Sequence, residues 1–392
     1  MKVADVTAAE LQDYEKKLHA ASTASADAFK NLARAQNLPT LEHDARKSAI
    51  YHAANDTVST FSNATGKIAC DFFDAHVEGA APSEIPPQPK YIKQRLYEHI
   101  EEYEQAHELG DDEFLQLMSQ DVYTEVYHHA NRTTMHNAIK NKLRYARVPM
   151  GNACAFCLML ATRGFVYYTQ TSAGEDKGHY HVHCHCKIVP GKNGTTVTGY
   201  KPNGLNKRIK QVADSLGIQN FNWKDCMRDG SMRYALQKEL QFRDTNWLLT
   251  GIPPEVGYEN ELAEKNARPH EIEQAKRLSK HGIKCVFQVD YEVDEKTKGT
   301  ARQKIIGKTD LVNGIELKSL SGTSNLEKRI KKELHNSKRK IGFKSCNFDA
   351  TDSLFTDEEI SEALRKQLKA RHVNRASFIG RDGKYHVINN EA

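Results

Sequence analysis

Several features that would assign a protein to a familiar class are missing from this sequence. No apolar run approaches the roughly eighteen residues that a membrane-spanning helix needs, so no membrane span is expected. The opening stretch, MKVADVTAAELQDYEKKLHAA, is amphipathic and lacks the apolar core of a secretory signal, so conventional export is not expected either. Ser/His/Asp triads, glycine-rich phosphate loops and the HExxH motif are also absent, which excludes several classes of enzyme.

The length and composition are those of a globular protein with several domains. A chain of 392 residues is too long for one ordinary hydrophobic core, and its 39% hydrophobic and 27% charged residues are typical of soluble proteins. Three parts are expected: a mainly α-helical region over residues 1–146, a small α+β module with a helical tail over 147–251, and an α/β domain over 252–392. In the first part the proline-rich segment EGAAPSEIPPQPKY separates the predicted helices.

Cysteine is scarce, and its distribution is uneven. Four of the eight cysteines lie within residues 154–186, in the pattern Cys154-x2-Cys157 followed by His181-x2-Cys184-x-Cys186. Structural zinc is held by four thiolate or imidazole ligands, and a Cys-x2-Cys turn lets two thiolates reach one ion. The spacing therefore predicts a structural Zn²⁺ site that staples the middle module, in a reducing compartment where thiols persist. Five candidates compete for about four positions, so the ligand set stays open.

The residues around these cysteines resemble a known phage family. The run RVPMGNACAFCLMLATRGFVYYTQTSAG, then HYHVHCHCKIVPG and GYKP, is similar to the zinc-binding segment of phage minor capsid proteins of the Mu-like head-morphogenesis group. The upstream TFSNATGKIACDFFDAH resembles the helical part of that family, so the similarity covers residues 1–250 approximately. The resemblance implies a virion protein at the portal or head interior, synthesised in the host cytoplasm, with portal and capsid proteins as partners. The additional histidines at positions 179, 183 and 185 depart from the pattern.

Residues 252–392 alternate between helical and strand patterns of the αβββαβ type. Helices are predicted over 270–282, 324–338 and 356–371, strands over 283–293, 304–312, 315–320 and 341–349, and a final hairpin over 375–388. Asn313-Gly314 is a strong hairpin signal and is expected to join two adjacent strands. That turn places Asp310 and Glu316 on neighbouring strands, with Lys318 on the face of Glu316 because strand side chains alternate.

An Asp, a Glu and a Lys on one hairpin face indicate a nuclease site. Two carboxylates can hold Mg²⁺ through hard oxygen ligands, and a lysine can position or deprotonate a water. The pattern resembles the core of PD-(D/E)xK nucleases, whose Asp and Glu-x-Lys correspond to Asp310 and Glu316-Leu317-Lys318, although Thr309 stands where proline is usual. The resemblance implies a Mg²⁺-dependent phosphodiesterase and an additional helix carboxylate, for which Glu271 or Glu273 is the candidate.

The same segment also resembles the C-terminal toxin domains of contact-dependent inhibition systems and other polymorphic toxins. Some of those domains are barnase-like ribonucleases that use no metal. This second resemblance implies that RNA such as tRNA is cleaved, with bases and cations such as His335, Lys318 or His386 in the catalytic roles, and that a cognate immunity protein is a partner. The two resemblances agree on a nuclease and differ on metal and substrate.

The C-terminal third is basic. Residues 255–392 contain 27 Lys+Arg against 22 Asp+Glu, which accounts for the formal net charge of +5. Such a patch is typical of nucleic-acid binding, although a solvated lysine-rich helix face has the same composition. The residues predicted to bind nucleic acid are Lys328, Arg329, Lys331, Lys332, Lys338, Arg339 and Lys340.

Two hypotheses follow from these patterns. The first is a phage minor capsid protein fused to a C-terminal nuclease toxin or effector that cleaves RNA or DNA. The second is a purely structural head protein whose basic C-terminal domain binds nucleic acid or capsid partners without catalysis. In the second case Asp310 and Glu316 are charges that protect a strand edge from aggregation.

Overall fold

The computed structural model describes residues 1–106, 111–150, 153–169, 186–289, 291–293, 305–321 and 325–390. The chain divides into two compact units, unit 1 (Met1–Asn203) and unit 2 (Gly204–Ala392). The boundary expected between residues 251 and 252 therefore lies within unit 2. Of the helices in these described ranges, not one combines the length and the apolar character that crossing a bilayer requires.

Unit 1 is mainly α-helical, as the spacing of its apolar residues predicts. Its helices are α1 (Ala8–Arg34), α2 (His43–His76), α3 (Lys90–Ala106), α4 (Asp111–Lys140) and α5 (Ala155–Ala161), with a 3-10 turn at Leu38–Thr40. Its short strands are β1 (Lys2–Val3), β2 (Val77–Glu78), β3 (Arg144–Val148) and β4 (Lys187–Gly191). Helix α1 begins at a capping box, in which the side chains of Thr7 and Glu10 each accept the other residue's backbone N–H.

Helix α4 is the central helix of unit 1. Apolar residues of α1, α2 and α3, including Phe29, Val58 and Ile92, pack with Val122 of α4 in one buried core. The helix also buries polar residues, and Asn131 shows why these are tolerated. Its Nδ2 donates to the carbonyl of Cys186 at 2.9 Å, and its Oδ1 accepts the N–H of Ile188 at 3.1 Å. Asn131 thereby ties α4 to β4, which pairs with β3 in an antiparallel ladder.

Unit 2 contains shorter helices and a mixed sheet. Its helices are α6 (Pro202–Ser215, which begins at the junction of the units), α7 (Trp223–Arg228), α8 (Gly230–Gln241), α9 (Thr245–Thr250), α10 (Glu261–Asn266), α11 (Pro269–Lys280), α12 (Leu326–Ser337) and α13 (Asp357–Arg371). Its strands are β5 (Gly257–Tyr258), β6 (Val286–Phe287), β7 (Tyr291–Val293), β8 (Ile305–Gly307), β9 (Ile315–Ser319), β10 (Ser345–Asp349), β11 (Arg375–Ile379) and β12 (Tyr385–Asn389).

Four strands form the main sheet of unit 2 in the order β12-β11-β10-β9. Strands β9, β10 and β11 are parallel and are connected through α12 and α13, and β12 returns antiparallel to β11. Helices α12 and α13 cover one face, where Ile330 and Leu364 pack on Phe348. Helix α11 covers the other face, where Leu278 packs with Leu317. The sheet therefore has a helical layer on each side.

The sequence predicted that the strand before the Asn313-Gly314 turn would pair with β9, and this prediction is wrong. Strand β8 pairs with β7, whereas the neighbour of β9 in the main sheet is the parallel strand β10. The turn itself is tight: Gly314 has φ of +83°, its N–H donates to the carbonyl of Leu311 at 2.9 Å, and the N–H of Leu311 donates to the carbonyl of Ile315 at 3.1 Å. The ladder stops there because the side chain of Asp310 accepts the next outward N–H of β9, that of Leu317.

Candidate functional site

Strand β9 places Glu316 and Lys318 on the sheet face that α12 and α13 cover. Their neighbours Ile315 and Leu317 point to the opposite face, into the core that α11 shares. Glu316 is fully buried, and Lys318 Nζ lies 2.6 Å from Glu316 Oε1. The structure thus brings these two side chains together, as alternation along a strand predicts.

Asp310 and Lys340 join this pair from two other parts of the chain. Asp310 Oδ2 accepts the N–H of Leu317 at 2.7 Å, which fixes the carboxylate beside β9. Lys340 follows α12, and its Nζ lies 2.6 Å from Glu316 Oε1 and 3.7 Å from Asp310 Oδ1. We call Asp310, Glu316, Lys318 and Lys340 the carboxylate–lysine cluster.

Burial and neighbouring charges perturb the titration of this cluster. Burial, and after it the negative charge of Glu316, together raise the pKa of Asp310 to about 6. Burial alone would lower the pKa of Lys318, but the charges of Glu316 and Asp310 outweigh it and raise that pKa above its ordinary value. At neutral pH Lys318 is therefore a cation, which suits it to steady a phosphate rather than to act as a base.

One carboxylate oxygen of the cluster has no hydrogen-bond partner among the described residues. Glu316 Oε1 receives both ammonium groups, whereas Oε2 is buried and accepts no hydrogen bond from the part of the chain that the structure describes. A buried polar atom of this kind costs free energy unless a ligand uses it. Together with the carboxylate of Asp310 it offers the hard oxygen donors that Mg²⁺ prefers. The donor set of the cluster therefore fits a divalent cation.

The structure does not bring the other predicted catalytic residues into the cluster. Glu271 lies in α11 on the opposite side of the sheet, and its Oε2 accepts the N–H of Arg268 at 3.1 Å. His335 is exposed on α12, with its Nδ1 3.2 Å from Nη1 of Arg371, and the positive charge of Arg339 lowers its pKa. Within the described residues neither side chain forms a hydrogen bond or ion pair with the cluster.

A separate group of metal-binding side chains lies beside β12. The ligand atoms of Asp357, Asp382 and His386 all lie within 4.8 Å of one another, the one such group of three or more in the described part of the chain. His386 Nε2 is 3.1 Å from Asp357 Oδ2, and the imidazole stacks on Phe378. The side chain of Asp382 is 44% exposed and pairs with Lys384 at 2.6 Å. These contacts are those of a surface ion-pair network. From the sequence, His386 was a candidate only as a base of the metal-free ribonuclease.

Most of the cations predicted to bind nucleic acid present their charges to solvent. Five are exposed on α12 and the segment after it: Lys328, Lys331, Lys332, Lys338 and Arg339. Three of the seven have a protein partner: Arg329 donates to the carbonyl of Ser321, Lys338 donates to the carbonyl of Arg371 at 2.8 Å, and Lys340 contacts Glu316. The exposed five form a cationic face close in sequence to the cluster, and the contact of Lys340 with Glu316 was not foreseen from the sequence.

Three of the five predicted zinc ligands come together in unit 1. Cys154 caps α5, and its Sγ accepts the N–H of Cys157 at 3.4 Å. Cys157 and Cys186 are buried and pack together with Cys154. The two remaining candidates, His181 and Cys184, lie outside the described residues. The donor chemistry and burial of the three described cysteines fit a structural Zn²⁺ site.

Comparison with known proteins identifies the first half of the chain. No curated protein matches the sequence, and no solved structure matches it. A family model described as VG15 protein matches residues 5–212, more than half of the chain. The matched segment contains the helices of unit 1 and the cysteine group, and it ends before the carboxylate–lysine cluster. The chain therefore belongs to the VG15 protein family, a family of phage proteins.

Proposed function

We propose that this chain is a phage minor capsid protein that acts in head morphogenesis, at the portal or inside the head, and that unit 2 is a nuclease. The family match over residues 5–212 supports the phage assignment. The resemblance of the cysteine segment to minor capsid proteins supports the role in the head. The nuclease is supported by unit 2 alone, since the cluster lies beyond the match. Proteomic analysis of purified virions tests the location.

The observation that supports the nuclease is the buried Oε2 of Glu316, which lacks a hydrogen-bond partner in the described ranges and lies beside Asp310 and Lys318. Bound Mg²⁺ would supply charge neutralisation and a water of lowered pKa. Glu316 and Asp310 would hold the cation, and Asp310 must be deprotonated to do so. Lys318 would then steady the negative charge that develops on the phosphate in the transition state. The cationic face of α12 would bind the backbone of the substrate.

The metal-free, barnase-like alternative receives less support from the geometry. It requires a base beside the phosphate site, and His335 is an exposed residue next to Arg371. The non-catalytic alternative has a specific observation in its favour. Both lysines of the cluster pair with Glu316, which is what a purely structural ion-pair group also does. Activity measurements separate these three possibilities.

The test uses the full chain. Purified protein is incubated with plasmid DNA, genomic DNA and total tRNA, with and without Mg²⁺. Glu316→Gln and Lys318→Ala should each abolish cleavage, and expression of the wild-type chain should inhibit bacterial growth while these variants do not. The matched controls are Glu333→Gln on α12 and Lys265→Ala on α10, which change the same charges outside the cluster and outside the cationic face and should retain activity.

Three results discriminate among the alternatives. Cleavage that needs Mg²⁺ and is lost in Glu316→Gln supports the metal-dependent nuclease. Cleavage of RNA without metal that survives Glu316→Gln but is lost in His335→Ala supports the barnase-like enzyme. A wild-type chain that cleaves neither DNA nor RNA under any metal condition leaves the structural head protein, and the nuclease proposal then fails.

We also propose that the cysteine group of unit 1 binds one structural zinc ion. The support is the N–H to Sγ bond between Cys157 and Cys154 and the burial of Cys186 beside them. Metal analysis of the full chain should find about one equivalent of zinc. Cys157→Ser should lose it, whereas Cys226→Ser, a buried cysteine of unit 2, should keep it. Separate His181 and Cys184 variants would identify the fourth ligand, and zinc-free wild-type protein with unchanged folding in chelator would overturn the proposal.

A further inference from the structure

Lys340 contacts the carboxylate–lysine cluster from outside the strand that carries it. Its backbone N–H donates to the carbonyl of Ser337 at 3.0 Å, in the segment that leaves α12. Its ammonium reaches Glu316 Oε1 at 2.6 Å and Asp310 Oδ1 at 3.7 Å. No other side chain of the described residues forms ion pairs with both carboxylates. Lys340 is thus placed between the two groups that would hold a cation.

The charges of the cluster favour the departure of a lysine when a divalent cation binds. Two carboxylates and two ammonium groups balance, so a divalent cation entering the cluster leaves an excess of two positive charges, which falls to one if a lysine departs. Lys318 is carried by β9 two residues from Glu316, within a sheet. The two lysine side chains are similarly exposed, at 22% for Lys318 and 25% for Lys340, so either ammonium can reach water. Lys340, however, is carried by a segment outside the sheet and is not tied to the strand that holds Glu316, which makes it the lysine that can leave the carboxylates.

We propose that Lys340 is an internal competitor for the divalent-cation site, and that the cation binds Glu316 and Asp310 by displacing the Lys340 ammonium. This inference rests on the proposed metal-dependent nuclease and adds a residue to it. Lys340 then sets the cation concentration at which unit 2 becomes active. On displacement its charge joins the exposed cations Lys338 and Arg339, where the substrate phosphates would lie.

Direct Mn²⁺ binding to the full chain tests this competition without relying on activity. Electron paramagnetic resonance of free Mn²⁺ reports the bound fraction. Removing the charge in Lys340→Met should tighten Mn²⁺ binding by about tenfold or more, since a cation within a few ångströms of the ion is lost. Lys340→Arg keeps the charge and should bind Mn²⁺ like the wild type. Lys338→Met, two residues away and bonded to the Arg371 carbonyl, is the matched control and should also match the wild type.

The Lys340→Gln variant, the Glu316→Gln variant and a cleavage assay complete the test of the competition. Lys340→Gln keeps a hydrogen-bond donor for Glu316 but not the charge, so it should show the same tightening even where Lys340→Met does not fold. Glu316→Gln should abolish the tight binding, which locates the ion. In the cleavage assay, Lys340→Gln should reach half-maximal activity at a Mg²⁺ concentration lower by the same factor.

The inference and the proposed function fail in distinguishable ways. Wild-type protein that binds Mn²⁺ and cleaves nucleic acid, with Lys340→Gln binding Mn²⁺ equally or more weakly, overturns the competition alone. Absence of Mn²⁺ binding in both the wild type and folded Lys340→Gln overturns the competition and the metal-dependent nuclease together. Tightening in Lys340→Gln with unchanged binding in Lys338→Met supports the competition.

Discussion

Replacing Glu239 with glutamine should strongly destabilise unit 2. Glu239 lies between two guanidinium groups: Arg243 Nη2 is 2.7 Å from Oε1, and Arg375 Nη2 is 2.9 Å from Oε2. The three side chains are 2%, 2% and 7% exposed for Glu239, Arg243 and Arg375 respectively. Removing the carboxylate would leave two buried positive charges with no anion between them.

The expected loss of stability depends on the hydrogen bonds that the two arginines would keep. Removing one partner of a buried ion pair typically costs about 3–5 kcal/mol. Arg375 would keep its bonds to Tyr385 Oη at 2.9 Å and Ser345 Oγ at 3.3 Å, and Arg243 would keep the carbonyl of His281 at 2.6 Å. The glutamine oxygen can also accept one hydrogen bond. We therefore expect a loss near the lower end of that range, about 3 kcal/mol in the free energy of unfolding.

Tryptophan fluorescence during urea unfolding measures this loss selectively. The chain contains two tryptophans, and both Trp223 and Trp247 belong to unit 2. Glu255→Gln removes a charge from an exposed residue of the same unit and should change the free energy of unfolding by less than about 0.5 kcal/mol. A change below about 1 kcal/mol for Glu239→Gln would refute the reasoning that this carboxylate neutralises two buried guanidiniums.

Three further predictions concern the cluster, its turn and unit 1. Burial and the charge of Glu316 raise the pKa of Asp310 from 3.8 to about 6, so ionising this carboxyl opposes folding. The stability that the neutral carboxyl contributes is fully present below pH 3.8 and is lost as the pH rises through 6. In EDTA, Asp310→Asn should thus change the free energy of unfolding of unit 2 little near pH 4 and raise it by up to about 3 kcal/mol at pH 8, since each unit of pKa corresponds to about 1.36 kcal/mol. The same fluorescence measurement reports both values. Gly314→Ala should lower the urea midpoint, because φ is +83° and the added Cβ would lie 2.3 Å from a backbone carbonyl oxygen; an unchanged midpoint would contradict this. Asn131→Ala should cost unit 1 about 1–3 kcal/mol, followed by circular dichroism at 222 nm, because the Cys186 carbonyl and Ile188 N–H lose their buried partner.

Local patterns predicted the secondary structure of unit 2 better than its strand pairing. The expected helices at 270–282, 324–338 and 356–371 are present as α11, α12 and α13, since apolar spacing and capping act within each segment. The turn at Asn313-Gly314 is present because only local backbone freedom is required. Which strand lies beside β9 depends on packing against α12, and no local pattern contains that information.

The domain boundary expected near residue 252 rests on a local pattern as well, and such a pattern does not contain tertiary contacts. The segment GIPPEVGYEN has the proline and glycine content of a linker. The structure nevertheless places α8 in unit 2, where Glu239 forms a buried ion pair with Arg375 of β11. A fragment that begins at residue 252 would leave Arg375 buried without its carboxylate. For that reason the experiments above use the full chain.

The proximity of three residues of the candidate site could be predicted from the sequence, whereas that of the fourth could not. Glu316 and Lys318 share a face because they are two residues apart on a strand, and Asp310 approaches them through a short turn. Lys340 lies beyond α12, and its approach to Glu316 depends on how the chain returns from that helix to β10. In the sequence Lys340 is only one charge in a basic run. Its distinct position follows from the fold, and so does the exclusion of Glu271, since periodicity predicts helix α11 but not the sheet face against which it packs.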